Sequence, residues 1–545
     1  MTESRPEIRN SRSPSWALRG LVLLVLLAAT VLRLDGIGFG LPALNDPDEP
    51  LFMMTAFEML HKQSLNPGWF GHPATTTFYS LALVLAGVAG TGLATGRFAD
   101  LRHFADAAYL DPGIAWLPAR VLMAAFGVAC VWLVWRIARR LGGDRVGIVA
   151  ALFLAVNAIH VEYSQIIRTD MQATLFMLLS TLCALNIVER GRTRDYVLAG
   201  VFAGLACATK WPTALVFINP LCAGFWRLRA DRSEWRKLLA LGIAAPLTLF
   251  LVSPFLLIDW RTVVDNLVHE ARPIHPGAMS GGFFANMGWY VVHGIVGSFG
   301  MIGAALIPVG IVAALRRAPR WSAAVLPVTL VFFIVICAQA LLWERWIVPL
   351  LPFAAIAAAY GLCWFTGRLP SRRPDMVLAL WAITLALPML LIERTMIAER
   401  THDTRQMAAA WVRGHVPAGS SIVVEHAAFD ILHGPWRFRF PLGSLGCVDV
   451  ASLIAGHIHY SKVETARHGS PLVDIGHVDD AKLESCRADY AIFTIYGRYR
   501  DRPDLFPAEL ARYESLRAGR PFAAVFRPEP GKSSGPVVYV LRLRP

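Results

Sequence analysis

Residues 40–50, GLPALNDPDEP, hold three carboxylates in four positions: Asp46, Asp48 and Glu49. Directly after an apolar run, such a cluster can supply a general base for a hydroxyl nucleophile and a second group that assists it. Adjacent side chains on a helix do not share a face, so Asp48 and Glu49 must reach different partners. The same residues also suit the start of a helix, where acids meet the positive end of the macrodipole. Further along, Arg168-Thr-Asp170 opens an apolar run, Lys210 stands between two runs in ATKWP, and Arg345 lies in WERWIVP. Each has a structural reading: a neutral pair or cap for Arg168 and Asp170, snorkelling for Lys210, interfacial anchoring for Arg345. Together they supply acids and fixed cations at span ends. Transfer from a lipid phosphate needs both, a base for the nucleophile and cations for the phosphate that leaves.

The elements that position these residues follow from composition. Of 545 residues, 55% are hydrophobic and only 17% charged, against about a quarter charged in soluble proteins. The apolar residues fall in blocks of roughly 17–25, enough for a helix to cross hydrocarbon. The blocks stop near residue 395. The chain therefore divides into a tail (1–16), a membrane domain (17–394) and a globular domain (395–545). The net charge of +13 does not indicate nucleic acid, because the arginines cluster in short loops between apolar blocks, the positive-inside pattern.

Arg5, Arg9, Arg12 and Arg19 place the N-terminus in the cytoplasm, together with the basic loops at 136–145, 189–194, 227–237, 316–320 and 368–373. The first apolar run reads as an uncleaved membrane helix, since no cleavage site follows it. Parity then requires that one of the first three runs does not cross. The Gly- and Thr-rich stretch 79–96 is expected to be re-entrant or surface-lying, within a long outer loop over 36–116. About eleven spans are expected, at 17–35, 117–135, 146–163, 171–188, 195–209, 212–226, 238–257, 287–313, 322–342, 346–366 and 375–393. An odd number puts the last domain outside, at the bacterial periplasmic face. The fold class is thus a polytopic all-α membrane domain followed by a small α/β domain. Its helix lies at 403–415 and its strands at 421–425, 490–494, 523–526 and 537–543.

Six of the eight cysteines lie in apolar spans, where a small buried apolar residue is the ordinary reading. Cys447 and Cys486 fall in the outer domain, where an oxidising compartment permits a disulfide. No CxxC and no Cys/His zinc spacing occurs. On the outer side, Glu162, Asp259, His269, Glu270 and Glu344 join the acids and cations already named. The inner side carries almost only arginine.

At these motifs the chain resembles the phospholipid-carrier-dependent glycosyltransferases of the C-type (GT-C) superfamily, related to the protein O-mannosyltransferases and lipid A aminoarabinose transferases. The resemblance is ordered over about 30–425. It runs through GLPALNDPDEP with LNPGWFGHPATTTFY, the run 119–143, HVEYSQIIRTDMQATLF, YVLAGVFAGLACATKWP, PFLLIDWRTVVDNLVHEARPIHPG, ERWIVPLLPFAAIAAAYG and TRQMAAAWVRGHVPAGSSIVVE. It implies inverting transfer of a sugar from polyprenyl phosphate to an acceptor outside the membrane. Asp48 would be the general base and Glu49 a helper. Lys210 and Arg345 would hold the donor phosphate. Asp170, Arg168 and His72 would orient acceptor or metal. The extra acid Asp46 leaves a divalent metal (Mg or Mn) open, with Asp48, Glu49 and Asp170 as its ligands.

Two other classes compete. A transporter or flippase for lipid-linked sugars would show paired repeats and charges in broken helices at mid-membrane; no repeat is found. A sensor would carry an inner signalling domain, and the longest inner loop has only about a dozen residues.

Overall fold

The computed structural model describes residues 16–271, 273–275, 278–279, 281–425, 429–449 and 473–544. The arginines of the 1–15 tail lie outside the described residues. The chain folds as a helical bundle followed by a six-stranded α/β domain.

Among the described residues, nine helices are long and apolar enough to cross a membrane, ten if the bent pair Asp144–Ala155 and Ala158–Ser164 forms one span. The bend of 63° falls at Asn157, whose extended backbone ends one helix while its side chain accepts from the His160 amide at 3.0 Å to start the next. Each of the eleven expected spans falls on a helix. Two of these are shorter than a full crossing: Thr193–Thr209, and Ile218–Leu228 behind a 3-10 turn at Trp211–Phe217. Thr75–Ala94, expected not to cross, is 20 residues long and passes the same test of length and composition. The 36–116 segment also holds the helices Glu49–His61 and Leu101–Leu110. Their apolar faces, with Phe52, Phe78, Phe104 and Trp116, form a core of their own beside the main bundle.

Close helix packing in the bundle rests on small residues. Gly310 and Gly361 bring the helices Gly297–Arg317 and Leu351–Thr366 into backbone contact, so a Cβ at Gly310 would sit 1.8 Å from the Ala357 carbonyl oxygen.

The bundle has two chemically different ends. At one, basic loops meet each other: Arg140 donates to Asn186 (2.5 Å), Lys237 to the Gly191 carbonyl (2.7 Å), and Arg145 pairs with Asp375 (2.6 Å). At the other lie Asp46, Asp48, Arg168, Asp170, Lys210 and Arg345, beneath the C-terminal domain.

In that domain β1 (Ser421–Val424), β2 (Arg437–Pro441), β3 (Cys447–Asp449), β4 (Tyr490–Phe493), β5 (Phe522–Phe526) and β6 (Val538–Arg542) order as β3-β2-β1-β4-β6-β5. β1 pairs parallel with β2 and β4, and the outer pairings are antiparallel. Every residue of β1 and β4 is buried, as expected for central strands covered on both faces. Helix Thr404–His415 covers one face through Ala408, Ala409 and Val412. Tyr499, Tyr513 and Leu516 cover the other. β2 and β3, absent from the sequence reading, are short and carry charge (RFRFP and CVD). Cys447 on edge strand β3 is joined to Cys486.

Candidate functional site

Asp46 starts the site. Its Oδ1 accepts from the amides of Asp48 (3.0 Å) and Glu49 (3.2 Å), doing the work of a cap for the helix Glu49–His61. Its carboxylate also takes Arg168 Nη2 at 2.9 Å. Arg168 turns its other terminal nitrogen to Asp48 Oδ2 at 3.0 Å, and Arg345 Nη1 contacts the same oxygen. Asp48 is thus gripped by two guanidiniums yet keeps about a third of its side chain exposed, at 34%. Burial would raise its pKa, but the charges of Arg168 and Arg345 outweigh that and hold the carboxyl well below the usual range.

Asp170, first residue of the helix Asp170–Arg190, pairs with Lys210 Nζ at 2.5 Å. Lys210 ends the helix Thr193–Thr209 in extended backbone, which aims its side chain away from the helix axis. The loop carrying His72 is pinned beside it, by the Ala74 amide on the Thr209 carbonyl (3.1 Å) and by Thr76 Oγ1 against Thr209 Oγ1 (2.6 Å). His72 Nδ1 is buried and makes no hydrogen bond among the described residues. Burial first, then the charges of Lys210 and Arg345, push its pKa down to about 3. The ring is neutral at physiological pH.

Glu49 points elsewhere. Its carboxylate receives Arg120 Nε at 2.9 Å and Nη2 at 2.6 Å, plus the Ile167 amide at 3.0 Å. Arg120 spends Nη1 on the carbonyls of Ile37 and Phe39, both at 2.8 Å. Both side chains are fully buried. The helper role expected for Glu49 therefore meets a closed structural clamp. Arg120 went unnoticed in the sequence, although a lone charge inside the apolar run 117–135 is the signal that would have found it.

The structure brings together Asp46, Asp48, His72, Arg168, Asp170, Lys210 and Arg345. It leaves out Asp259, which accepts from Thr262 (2.7 Å), and His269, which faces Asp265. The residues do not fit the expected metal. Asp48, Glu49 and Asp170 each face a different cation, and no group of three or more His, Cys, Asp or Glu among the described residues could hold an ion.

Both a stretch of the bundle's sequence and the fold as a whole have counterparts among known proteins. Residues 114–258 match the family described as dolichyl-phosphate-mannose-protein mannosyltransferase. Two solved structures of ArnT from Cupriavidus metallidurans share the fold. The apo state is 14% identical with TM-score 0.54, covering 96% of this chain and 98% of that one. The state bound to undecaprenyl phosphate is 14% identical with TM-score 0.51, covering 97% and 98%. The Archaeoglobus fulgidus oligosaccharyltransferase complex with Zn and sulfate is 13% identical with TM-score 0.52, covering 95% and 72%. Among curated proteins, none matches the sequence.

Proposed function

We propose that the chain moves a sugar from a polyprenyl-phosphate donor to an acceptor at the periplasmic face of the inner membrane. A transferase domain spans 17–394, and an outer domain follows over 395–545. One observation carries this reading. Three carboxylates, three cations and a neutral imidazole, drawn from separate segments, meet at the end of the bundle that bears the C-terminal domain. The ArnT of the same fold was crystallised with undecaprenyl phosphate, which supports a lipid phosphate as the donor's anchor.

Lys210 and Arg345 take the donor phosphate; Asp170 holds Lys210 in register, and Asp48, itself fixed by Arg168, holds Arg345. Asp48 accepts the proton of the acceptor group as its heteroatom bonds the anomeric carbon. The bond from that carbon to the phosphate oxygen breaks on the opposite face, and the electron pair leaves with polyprenyl phosphate. Cations already in place offset the developing charge without reorganisation. Asp48 is a weak base while two guanidiniums hold it. A donor phosphate that draws Arg345 onto itself makes Asp48 more basic when the substrate is present. His72, neutral and with a free ring nitrogen, is available to the sugar or the phosphate.

The test uses the full chain in detergent with a panel of undecaprenyl-phosphate-linked sugars and an envelope extract as acceptor. Release of undecaprenyl phosphate coupled to sugar transfer is expected. A protein that translocates the donor without releasing the lipid phosphate is a transporter and sinks the proposal. Mass spectrometry of envelope glycans after gene deletion then names sugar and acceptor by the mass that disappears.

A further inference from the structure

Asn45 sits one residue before the acidic cluster and is nearly buried, at 5% exposed. Its side-chain amide makes a reciprocal pair with Gln406 from the C-terminal domain. Asn45 Nδ2 donates to Gln406 Oε1 and Gln406 Nε2 donates to Asn45 Oδ1, both at 3.0 Å. Arg405 Nη1 donates to the Asn45 backbone carbonyl at 2.6 Å. Arg405 is itself fixed by Asp403, through Nε at 2.8 Å and Nη2 at 2.6 Å. Asp403 also accepts from the Arg405 amide at 2.8 Å, capping the helix Thr404–His415. That helix start is tied to the rest of the domain. The Thr404 amide reaches the Ser534 carbonyl (3.0 Å) and its hydroxyl the Pro536 carbonyl (2.6 Å), just before β6.

On the loop side, Gly40 has φ +70°, and a Cβ there would lie 2.6 Å from Asn45. The turn 40–45 closes tightly over the Asn45 side chain, and the residues that follow are tied to one another by the Asp48 and Glu49 amides on Asp46 Oδ1. The next contacts along the chain are Asp46 on Arg168 and Asp48 on Arg168 and Arg345.

We infer that the C-terminal domain positions the general base: Gln406 and Arg405 hold Asn45 and so set where Asp48 stands. This rests on the proposed role of Asp48. Asn45, Arg405 and Gln406 are positioning residues, since their bonds run to one another and to Asp403. Arg345 meets Asp48 but Lys210 is held separately by Asp170, so loss of the clasp should misplace the base while Lys210 stays in place for the donor.

The experiment compares Asn45→Ala, Gln406→Ala and the exchanged pair Asn45→Gln with Gln406→Asn in the full-length detergent-purified chain. Undecaprenyl phosphate binding is read by native mass spectrometry, and turnover by release of undecaprenyl phosphate from its sugar-linked form. Each alanine variant should lower kcat by about ten-fold or more, with undecaprenyl phosphate affinity within two-fold of wild type. The exchanged pair should regain most of the lost kcat. Wild-type kcat in either alanine variant overturns the inference. So does an equal loss of lipid affinity and kcat, or an exchanged pair that stays as slow as the alanine variants while binding lipid normally. Asp48→Asn, assayed alongside, separates the two ideas. If that variant is as active as wild type, the assignment of the base fails. If it is inactive while Gln406→Ala is not, only the positioning role fails.

Discussion

Asp48 and Glu49 are neighbours in sequence and opposites in environment. Glu49 and Arg120 form a closed unit: both side chains are fully buried, and every polar atom has a partner. The group around Asp48 is partly open and under-satisfied. Among the described residues, Arg168 Nε, Arg345 Nε and His72 Nδ1 are buried without a hydrogen-bond partner, and Asp48 shares one oxygen between two guanidiniums. Complete satisfaction belongs to a structural clamp. Unspent donors around a charge that solvent can reach are what the proposed donor site requires.

The comparison can be broken by exchanging the effects of the two acids. Asp48→Asn should reduce turnover by roughly 10²–10⁴-fold while lowering the melting temperature in detergent far less than a change at the fully buried Glu49. Glu49→Gln should do the reverse, because it strands the buried Arg120 charge. A loss of about 3–5 kcal/mol is expected in denaturant titration, while the molecules that stay folded turn over normally. A stable but inactive Glu49→Gln protein would erase the distinction. Replacing both members, as Glu49→Leu with Arg120→Met, should return most of the lost stability, since no charge is then left unpaired. Lys210→Ala should come next in size. Half-saturation by the donor is expected to rise about ten-fold, one charge-assisted contact, and unaltered undecaprenyl phosphate affinity would remove Lys210 from the phosphate.

The smallest effect concerns the outer domain. There Glu425 is fully buried and accepts from the Thr494 and Ile495 amides and from Tyr513. Burial and the Asp474 charge raise its pKa from 4.5 to about 7. The folded state therefore holds this proton to higher pH than the unfolded chain. Its ionised form opposes folding, increasingly as pH rises from about 4.5 to 7, and fully above 7. His477, raised by its bond to Asp474, loses stabilising charge over rising pH as well, so the two act in the same direction. The outer domain should melt at lower temperature at pH 8 than at pH 5. Glu425→Gln should flatten that slope, as followed by a fluorescent reporter placed on the domain.

Much of the bundle was legible because hydrocarbon thickness imposes block length, and each expected span falls on a helix. The central strands SIVV and YAIF announced themselves as apolar β-branched or aromatic runs. The edge strands RFRFP and CVD did not, because their pairing is decided by neighbours and not by their own pattern. In the site, Asp48, Asp170, Lys210 and Arg345 could be singled out as charges at span ends. What distinguishes Glu49 from Asp48 could not, since the answer is Arg120, 71 residues away along the chain. The Asn45–Gln406 pair, 361 residues apart, is two ordinary amides until the fold joins them.

The sheet has a consequence for the order of events during biosynthesis. β1 pairs with β4, and β4 with β6, so the sheet closes only once its latest strand has emerged. Thr404, beside Gln406, bonds to Pro536, 132 residues downstream. Until that stretch has been made and folded, the clasp of Gln406 and Arg405 on Asn45 stays open, and the loop that bears Asp48 rests on its bundle contacts with Arg168, Arg345 and Arg120. If the clasp sets the position of Asp48 as inferred, a nascent chain that has completed its bundle reaches full activity only when the last strand docks.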